Sequence, residues 1–413
     1  MKILITVLEG GPTTVPGFLA AGVRAGIKRR GLDVMVLACE DGPVPAAGAF
    51  TTNLVKGAPL IVTLEHLKKG KLSAIVADSG GANTYTGKRG LRDARHMARL
   101  TAKLLKHRPD TVAVASTGLI GSYLPMRRVE TGIKAAVSEL SNSREASLNA
   151  AKAIMTTDTV PKEIAILVYL EDGTPVTIAG IAKGAGMIHP NMKTATMLAF
   201  VVTDAVATSG ALRTALQNSI DKSFNMITVD GDMSTSDTVL ILANGRAKNQ
   251  PITARRVDKM FQAGLDYVLT ELARMIVKDG EGATHLIEVC VKNARKIGDA
   301  RQAARAVAGS NLVKTAIFGR DPNWGRIVAA LGYSGVPFNP SKISLEFVSD
   351  RGHVDLVERG KPKSKRAINR ARDIMRSREI EIHIDLGVGK ASATAWGCDL
   401  TYDYVRINSK YTT

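Results

Sequence analysis

The chain has 413 residues, of which 45% are apolar and 23% charged, and 56 Lys and Arg against 38 Asp and Glu give a formal charge of +18. That apolar content builds a core for two or three domains and excludes disordered, collagen-like and disulfide-scaffold classes. Aromatics at 4% are too scarce for a protein that interleaves stacking rings with basic residues, which weakens a nucleic-acid reading.

From the N-terminus, residues 3–8 form an apolar run stopped by Glu9, too short for a signal-peptide core and read as a first strand. Apolar or alternating runs predict further strands at 73–77, 111–115, 163–170, 176–181, 226–229, 238–243, 285–291, 343–348 and 379–386. Apolar residues at helical spacing predict helices at 91–107, 126–140, 210–223, 255–278, 293–309 and 367–378. Glu171-Asp172-Gly173-Thr174 is a turn sequence, so the strands on either side of it should form an antiparallel hairpin. The order is not a strict strand-helix alternation, and an α+β fold of layered sheets with packed helices follows. The most apolar long window, 194–212, is interrupted by Asp204 and falls short of the roughly 18 uncharged residues of a membrane span, so no membrane is expected. Cys39, Cys290 and Cys398 form no CxxC pair, which argues against a structural zinc site or a disulfide framework and for a reducing, cytoplasmic setting.

Common cofactor motifs fail. Gly80-Gly81-Ala82-Asn83-Thr84-Tyr85-Thr86-Gly87-Lys88 has the wrong glycine spacing for a P-loop, and Arg89 stands where a Ser or Thr would hold magnesium. There is no GxGxxG, and the seven histidines show no HExxH spacing, so no metal is expected. What stands out is four polar, Gly-rich and Thr-rich segments after apolar runs: 115–121 with Thr117 and Gly118, 155–159 with Thr157, 182–188 with Lys183, and 195–200 with Thr196. Glycines beside Thr117 and Lys183 permit tight turns with exposed amides, as an oxyanion site needs.

Together with Ala46-Ala47-Gly48-Ala49-Phe50-Thr51-Thr52-Asn53, Val229-Asp230-Gly231-Asp232-Met233-Ser234-Thr235, Asp279-Gly280-Glu281-Gly282-Ala283-Thr284, Asp321-Pro322-Asn323-Trp324-Gly325-Arg326 and Ala393-Thr394-Ala395-Trp396-Gly397-Cys398-Asp399, these segments make the chain closely resemble the ornithine acetyltransferase, or glutamate N-acetyltransferase, family of arginine biosynthesis. The resemblance runs nearly end to end. It implies a self-processing Thr-nucleophile fold that cuts itself between Ala195 and Thr196, leaving products 1–195 and 196–413 that need not be folding domains. Thr196 then carries the acetyl group. Its new N-terminal amine, with a reference pKa of about 7.7–8.0, is a far better base at neutral pH than a lysine near 10.4. The resemblance places the oxyanion hole at Thr117 and Gly118 and the substrate contacts at Thr157, Lys183, Thr196, Glu281, Asn408 and Thr413. Lys183 suits a carboxylate and Glu281 an ammonium group.

The implied reaction is ping-pong: N-acetylornithine acylates Thr196 and leaves as ornithine, and glutamate becomes N-acetylglutamate, with no cofactor. Some members also take acetyl from acetyl-coenzyme A. The cleaved chains are expected as a tetramer of two large and two small pieces. Two departures from the family pattern matter: Pro190-Asn191-Met192-Lys193-Thr194-Ala195-Thr196 is two residues longer than usual, with Thr194 as a competing nucleophile but Thr196 favoured by the Thr-Met-Leu that follows the cut, and Asn-Ser-Gly-Asn-Ala-Asn appears as Asp78-Ser79-Gly80-Gly81-Ala82-Asn83. Rival readings are an N-terminal-threonine amidohydrolase or aminopeptidase, and a nucleic-acid-binding protein using the segment 359–378, where nine Lys and Arg face Asp373 alone. The bland reading of that segment is a solvated helix face.

Overall fold

The computed structural model describes residues 4–189 and 197–410, which divide into two compact units. The first comprises 4–184, 197–225 and 233–276, and the second 185–189, 226–232 and 277–410. Both units draw residues from either side of position 195, so they do not coincide with the products 1–195 and 196–413.

The first unit contains two sheets. A seven-stranded sheet runs in the order Ile5–Leu8, Lys162–Tyr169, Pro175–Lys183, Leu198–Thr203, Thr238–Ala243, Val44–Phe50, Lys71–Leu72. A four-stranded sheet runs Phe18–Val23, Val34–Cys39, Ala74–Gly81, Val112–Leu119. Strand alternation explains how they layer. In Val34–Cys39, Met35 and Leu37 face a core shared with Ile181, Phe200 and Leu240 of the larger sheet. Val34, Val36 and Ala38 face a second core with Ala94 and Met97 of the helix Gly87–Leu105 and Val129 and Ile133 of the helix Met126–Ser138. The opposite side of the larger sheet is covered by the helix Lys259–Lys278, where a side chain on Gly264 would meet Val168 and Ile178 at 3.1 Å. The unit is therefore four layers, helix-sheet-sheet-helix, as the α+β expectation required.

The second unit is built on one seven-stranded sheet, ordered Ile227–Thr228, Ala391–Cys398, Leu286–Ala294, Glu379–Asp385, Ser344–Ser349, Gly352–Glu358, Lys361–Pro362. One face is apolar and buried: Ile287, Val289, Val291, Leu345, Phe347, Ile380, Ile382 and Ile384. The helices Ile297–Ala308 and Lys365–Ile374 pack against its strands. The alternate residues, Glu288, Cys290, Glu346, Glu381 and His383, are polar and half-buried.

The predicted hairpin forms, with Leu170 N bonded to Thr174 O at 2.9 Å and Gly173 at φ 82°, while Thr238–Ala243 occupies its predicted range. Other expectations need correction. The helix expected over 293–309 begins at Ile297, because Asn293 and Ala294 complete a strand and Asn293 sits at φ 56°. The strand expected over 226–229 is only Ile227–Thr228. In the basic segment, the helix Lys365–Ile374 buries Ala371 and Ile374 and leaves its other side largely wet, and Arg370 and Lys363 pair with Asp373 and Glu358. That is the solvated-face reading. Among the described residues no helix is long and apolar enough to cross a membrane.

Candidate active site

Thr117 and Gly118 lie at the end of the strand Val112–Leu119, rather than in the turn expected from sequence. The parallel neighbour Ala74–Gly81 sets Thr117 opposite Ser79 and Gly118 opposite Gly80. Gly118 adopts φ 131°, and a Cβ there would come within 2.5 Å of the Gly80 carbonyl carbon, so only glycine fits. This close approach also explains the glycine opposite it. Ser79 is fixed by donating to the Ala153 carbonyl at 2.6 Å.

Lys183 ends the strand Pro175–Lys183 and is only 7% exposed. Its Nζ donates to Thr117 Oγ1 at 3.4 Å, which brings two of the expected site residues together from different sheets. Asp158 holds this cation's surroundings. Its Oδ1 accepts from Lys162 Nζ and from the Gly184 amide, both at 2.7 Å, and its Oδ2 accepts from the Thr156 amide at 3.0 Å. Burial would raise the Asp158 carboxyl, but the Lys183 and Lys162 charges and the Lys162 and Gly184 hydrogen bonds overcome it and hold the group well below the usual carboxylate range. The result is a buried carboxylate that fixes the loop carrying half-buried Thr157 to the residue that follows Lys183. Lys28 joins the cluster by donating to Met155 O at 2.7 Å. Burial depresses its ammonium, Lys183 adds to that effect, and Asp33 and Asp158 oppose it.

Sequence reasoning missed Asp158 as a positioning residue. The available signal was an acid and a lysine four residues apart immediately before an apolar strand. It also missed Asp237, fully buried, whose Oδ2 has no hydrogen-bond partner among the described residues. Burial pushes that carboxyl well above its ordinary range, against the opposing pull of Lys183 and of hydroxyls at Ser234 and Thr51. Asp78, the departure from the family's asparagine, accepts from the Ser116 hydroxyl, and burial raises its carboxyl to about 8. A neutral carboxyl there presents one donor and one acceptor, as an amide would.

In the second unit, Glu281 and Asn408 are brought together: Asn408 Nδ2 donates to Glu281 Oε2 at 2.7 Å, from the end of the helix Tyr402–Asn408. Glu281 is 7% exposed, its amide donates to Ala185 O at 2.9 Å, and its carboxylate would lie 2.3 Å from a Cβ on Gly186. Glycine at 186 is what admits the acid. The Met187 and Ile188 amides donate to Asp230 at 2.6 and 2.9 Å, and Tyr404 Oη donates to the same carboxylate at 3.3 Å. His189, which tempts a base assignment, is held on both nitrogens: Arg305 donates to Nε2 at 2.9 Å, and Nδ1 meets Thr228 Oγ1 at 2.9 Å. Burial and the Arg305 charge, against Asp230, lower it to about 4, so the ring is neutral and structural. Ala195, Thr196 and Thr413 lie outside the described residues.

The ArgJ family model matches residues 19–413. The arginine biosynthesis bifunctional protein ArgJ of Symbiobacterium thermophilum is 52% identical over 410 residues, covering 98% of this chain and 99% of that protein. The glutamate N-acetyltransferase of Methanothermobacter thermautotrophicus is 48% identical over 409 residues, covering 98% of each. The solved ornithine acetyltransferase of Mycobacterium tuberculosis, in complex with ornithine, is 41% identical over 46% of this chain and 99% of its own, with a TM-score of 0.43. With a family pattern matched over nearly its whole length and relatives near half identity from end to end, the chain belongs to the ArgJ family.

Proposed function

We propose that this chain is a glutamate N-acetyltransferase of arginine biosynthesis that moves acetyl from N-acetylornithine to glutamate through acetyl-Thr196. The observation that carries the reading is the buried Lys183 ammonium 3.4 Å from Thr117 Oγ1, beside a Gly118 that tolerates no side chain. A hydroxyl polarised by a buried cation, next to a strand-end amide, supplies the donors that a tetrahedral oxyanion needs.

In this proposal Thr196 Oγ1 first attacks the Ala195 carbonyl, and the Ala195–Thr196 C–N bond breaks as the nitrogen takes up the hydroxyl proton and becomes the free Thr196 amine. Water then hydrolyses the resulting ester to release the Ala195 carboxylate and restore the Thr196 hydroxyl. That amine takes the Thr196 hydroxyl proton as the oxygen attacks the acetyl carbonyl of N-acetylornithine. Collapse breaks the acetyl C–N bond, and the proton goes to the departing amine of ornithine. Glutamate's amino group then attacks the acetyl ester, and Thr196 oxygen leaves and recovers its proton. Thr157, Lys183, Glu281, Asn408 and Thr413 are assigned to substrate binding, Thr117 and Gly118 to the oxyanion. Acetyl-coenzyme A as a second donor, a two-plus-two tetramer of cleaved chains, and a cytoplasmic setting belong to the same proposal.

Intact-mass analysis of wild type beside Thr196→Ala tests it. The expected result is two roughly half-length pieces for the first and one 43.9 kDa chain for the second. After brief exposure to N-acetylornithine, one acetyl should sit on the 196–413 piece. An uncut wild type, or acetyl on another side chain, overturns the mechanism, and acetate release without glutamate would mark an amidohydrolase instead.

A further inference from the structure

The polar face of the sheet in the second unit collects ligand-type side chains that take no part in the proposed acetyl transfer. Leu286–Ala294 and Glu379–Asp385 pair in parallel with Cys290 directly opposite His383, and Ser344–Ser349 sets Glu346 opposite His383 on the other side. Because side chains alternate across a strand, these three and their neighbours Glu288 and Glu381 share one face. Ligand atoms of Cys290, Glu381 and His383 all lie within 4.8 Å of one another. His383 Nε2 is 2.8 Å from Glu381 Oε2, and Nδ1 is 3.4 Å from Glu346 Oε2. Cys290 Sγ is 3.8 Å from Glu288 Oε1, and Glu288 Oε2 accepts from Trp396 Nε1 at 2.9 Å.

We propose that Cys290, Glu381 and His383 bind a divalent cation of the zinc class, with Glu346 and Glu288 as the outer partners that orient them. A thiolate, an imidazole and a carboxylate form the mixed S, N, O set that such a borderline cation prefers over magnesium or calcium. Three protein ligands leave a fourth position open to water. The second ring nitrogen of a metal-bound histidine almost always meets a carboxylate or carbonyl, which is what Glu346 offers at Nδ1 while Nε2 faces the other ligands. Glu346 and Glu381 both face His383, and a bound cation offsets the mutual repulsion of these two carboxylates. Binding needs the 2.8 Å His383 Nε2–Glu381 Oε2 hydrogen bond to open and the edges to Cys290 Sγ, now within 4.8 Å, to settle, all at about 3.3–3.7 Å, the spacing set by bonds of about 2.0–2.3 Å, through rotation of the Glu381 and Cys290 side chains. All three residues are half-buried, so a cation can reach them from solvent. On binding, the Cys290 thiol proton passes to solvent and the sulfur–metal bond forms in its place.

The sequence argument against zinc rested on the lack of a CxxC pair, but here strand pairing joins residues 93 positions apart. The test is titration of the purified, self-cleaved protein with Co²⁺ alone, followed by competition with Zn²⁺. The expected result is one ion per chain, a near-ultraviolet thiolate-to-cobalt charge-transfer band with tetrahedral visible bands, displacement by Zn²⁺, and protection of Cys290 from alkylation. Cys290→Ser should abolish the charge-transfer band, and His383→Gln should weaken binding at least tenfold with the thermal unfolding midpoint of the metal-free protein little changed. Absence of the band in wild type, its persistence in Cys290→Ser, or alkylation of Cys290 unaffected by metal would each overturn the site. If Cys290→Ser fails to fold, the alkylation footprint of wild type alone decides it.

Discussion

Lys183 Nζ and Thr117 Oγ1, 66 positions apart in sequence, meet at 3.4 Å where strands of two different sheets end. The contact makes Thr117 a polarised donor and Lys183 a fixed charge. Thr117→Ala should therefore lower turnover by about a hundredfold to a thousandfold, the usual effect of losing one oxyanion donor, with the fold intact. Steady-state kinetics with N-acetylornithine and glutamate checks it, and a loss under threefold would remove Thr117 from the oxyanion role. Lys183→Met should lower kcat through the lost polarisation of Thr117 and raise KM for the substrate whose carboxylate it is proposed to bind, both read from the same kinetics.

Gly118→Ala is expected to fail for a different reason. The new methyl would lie 2.5 Å from the Gly80 carbonyl carbon in a backbone at φ 131°, so the strand end must shift. Activity should be lost, together with a lowered melting temperature by calorimetry. A fully stable, fully active Gly118→Ala would show that this close approach is not needed.

Asp158→Asn removes the charge that compensates buried Lys162, 1% exposed, and loosens the Thr157 loop. Breaking a buried pair in this way typically costs about 3–5 kcal/mol. Because the native carboxyl is held below its ordinary value of 3.8, its stabilisation is present above that value and is lost as pH falls through the depressed native range. Urea denaturation at pH 7 and at about pH 3, below the ordinary carboxyl value, should show the wild-type advantage over Asp158→Asn largest at pH 7.

Asp78 carries the opposite sign. Its native carboxyl titrates at about 8 against an ordinary value of 3.8, so the folded protein binds the extra proton between those values, and stability falls as pH rises from about 4 to about 8. Asp78→Asn should flatten this slope and raise the melting temperature at pH 8 more than at pH 5. Equal shifts at both pH values would show that the Asp78 proton is not the source.

The sequence made some parts of this architecture legible and hid others for physical reasons. Thr238–Ala243 was visible because it is an almost wholly apolar run, and the 171–174 turn because Asp-Gly sets its geometry. Val34–Cys39 was missed since a six-residue apolar run buried on both faces has no period of its own. Ala391–Cys398 was missed because small and polar residues become a strand only through their neighbours, among them the Trp396 to Glu288 bond. Thr117, Gly118 and Lys183 were singled out as candidates through the family resemblance, and the turn expected around Thr117 is a strand end shaped by the backbone of Gly80. Asp158, Asp237 and the Cys290–His383 pairing depend on burial and strand register, neither of which sequence spacing records.

In the larger sheet of the first unit, Leu198–Thr203 and Thr238–Ala243 are parallel neighbours, flanked by Pro175–Lys183 on one side and Val44–Phe50 on the other. A break between 195 and 196 would leave the inner pair on one polypeptide and both flanks on the other. The fragments would then be laced by unbroken ladders of backbone hydrogen bonds, so they could part only by unravelling the sheet. Once parted, they would have to find each other again by diffusion, and recovery of the native form would become dependent on protein concentration where it was not before the cut.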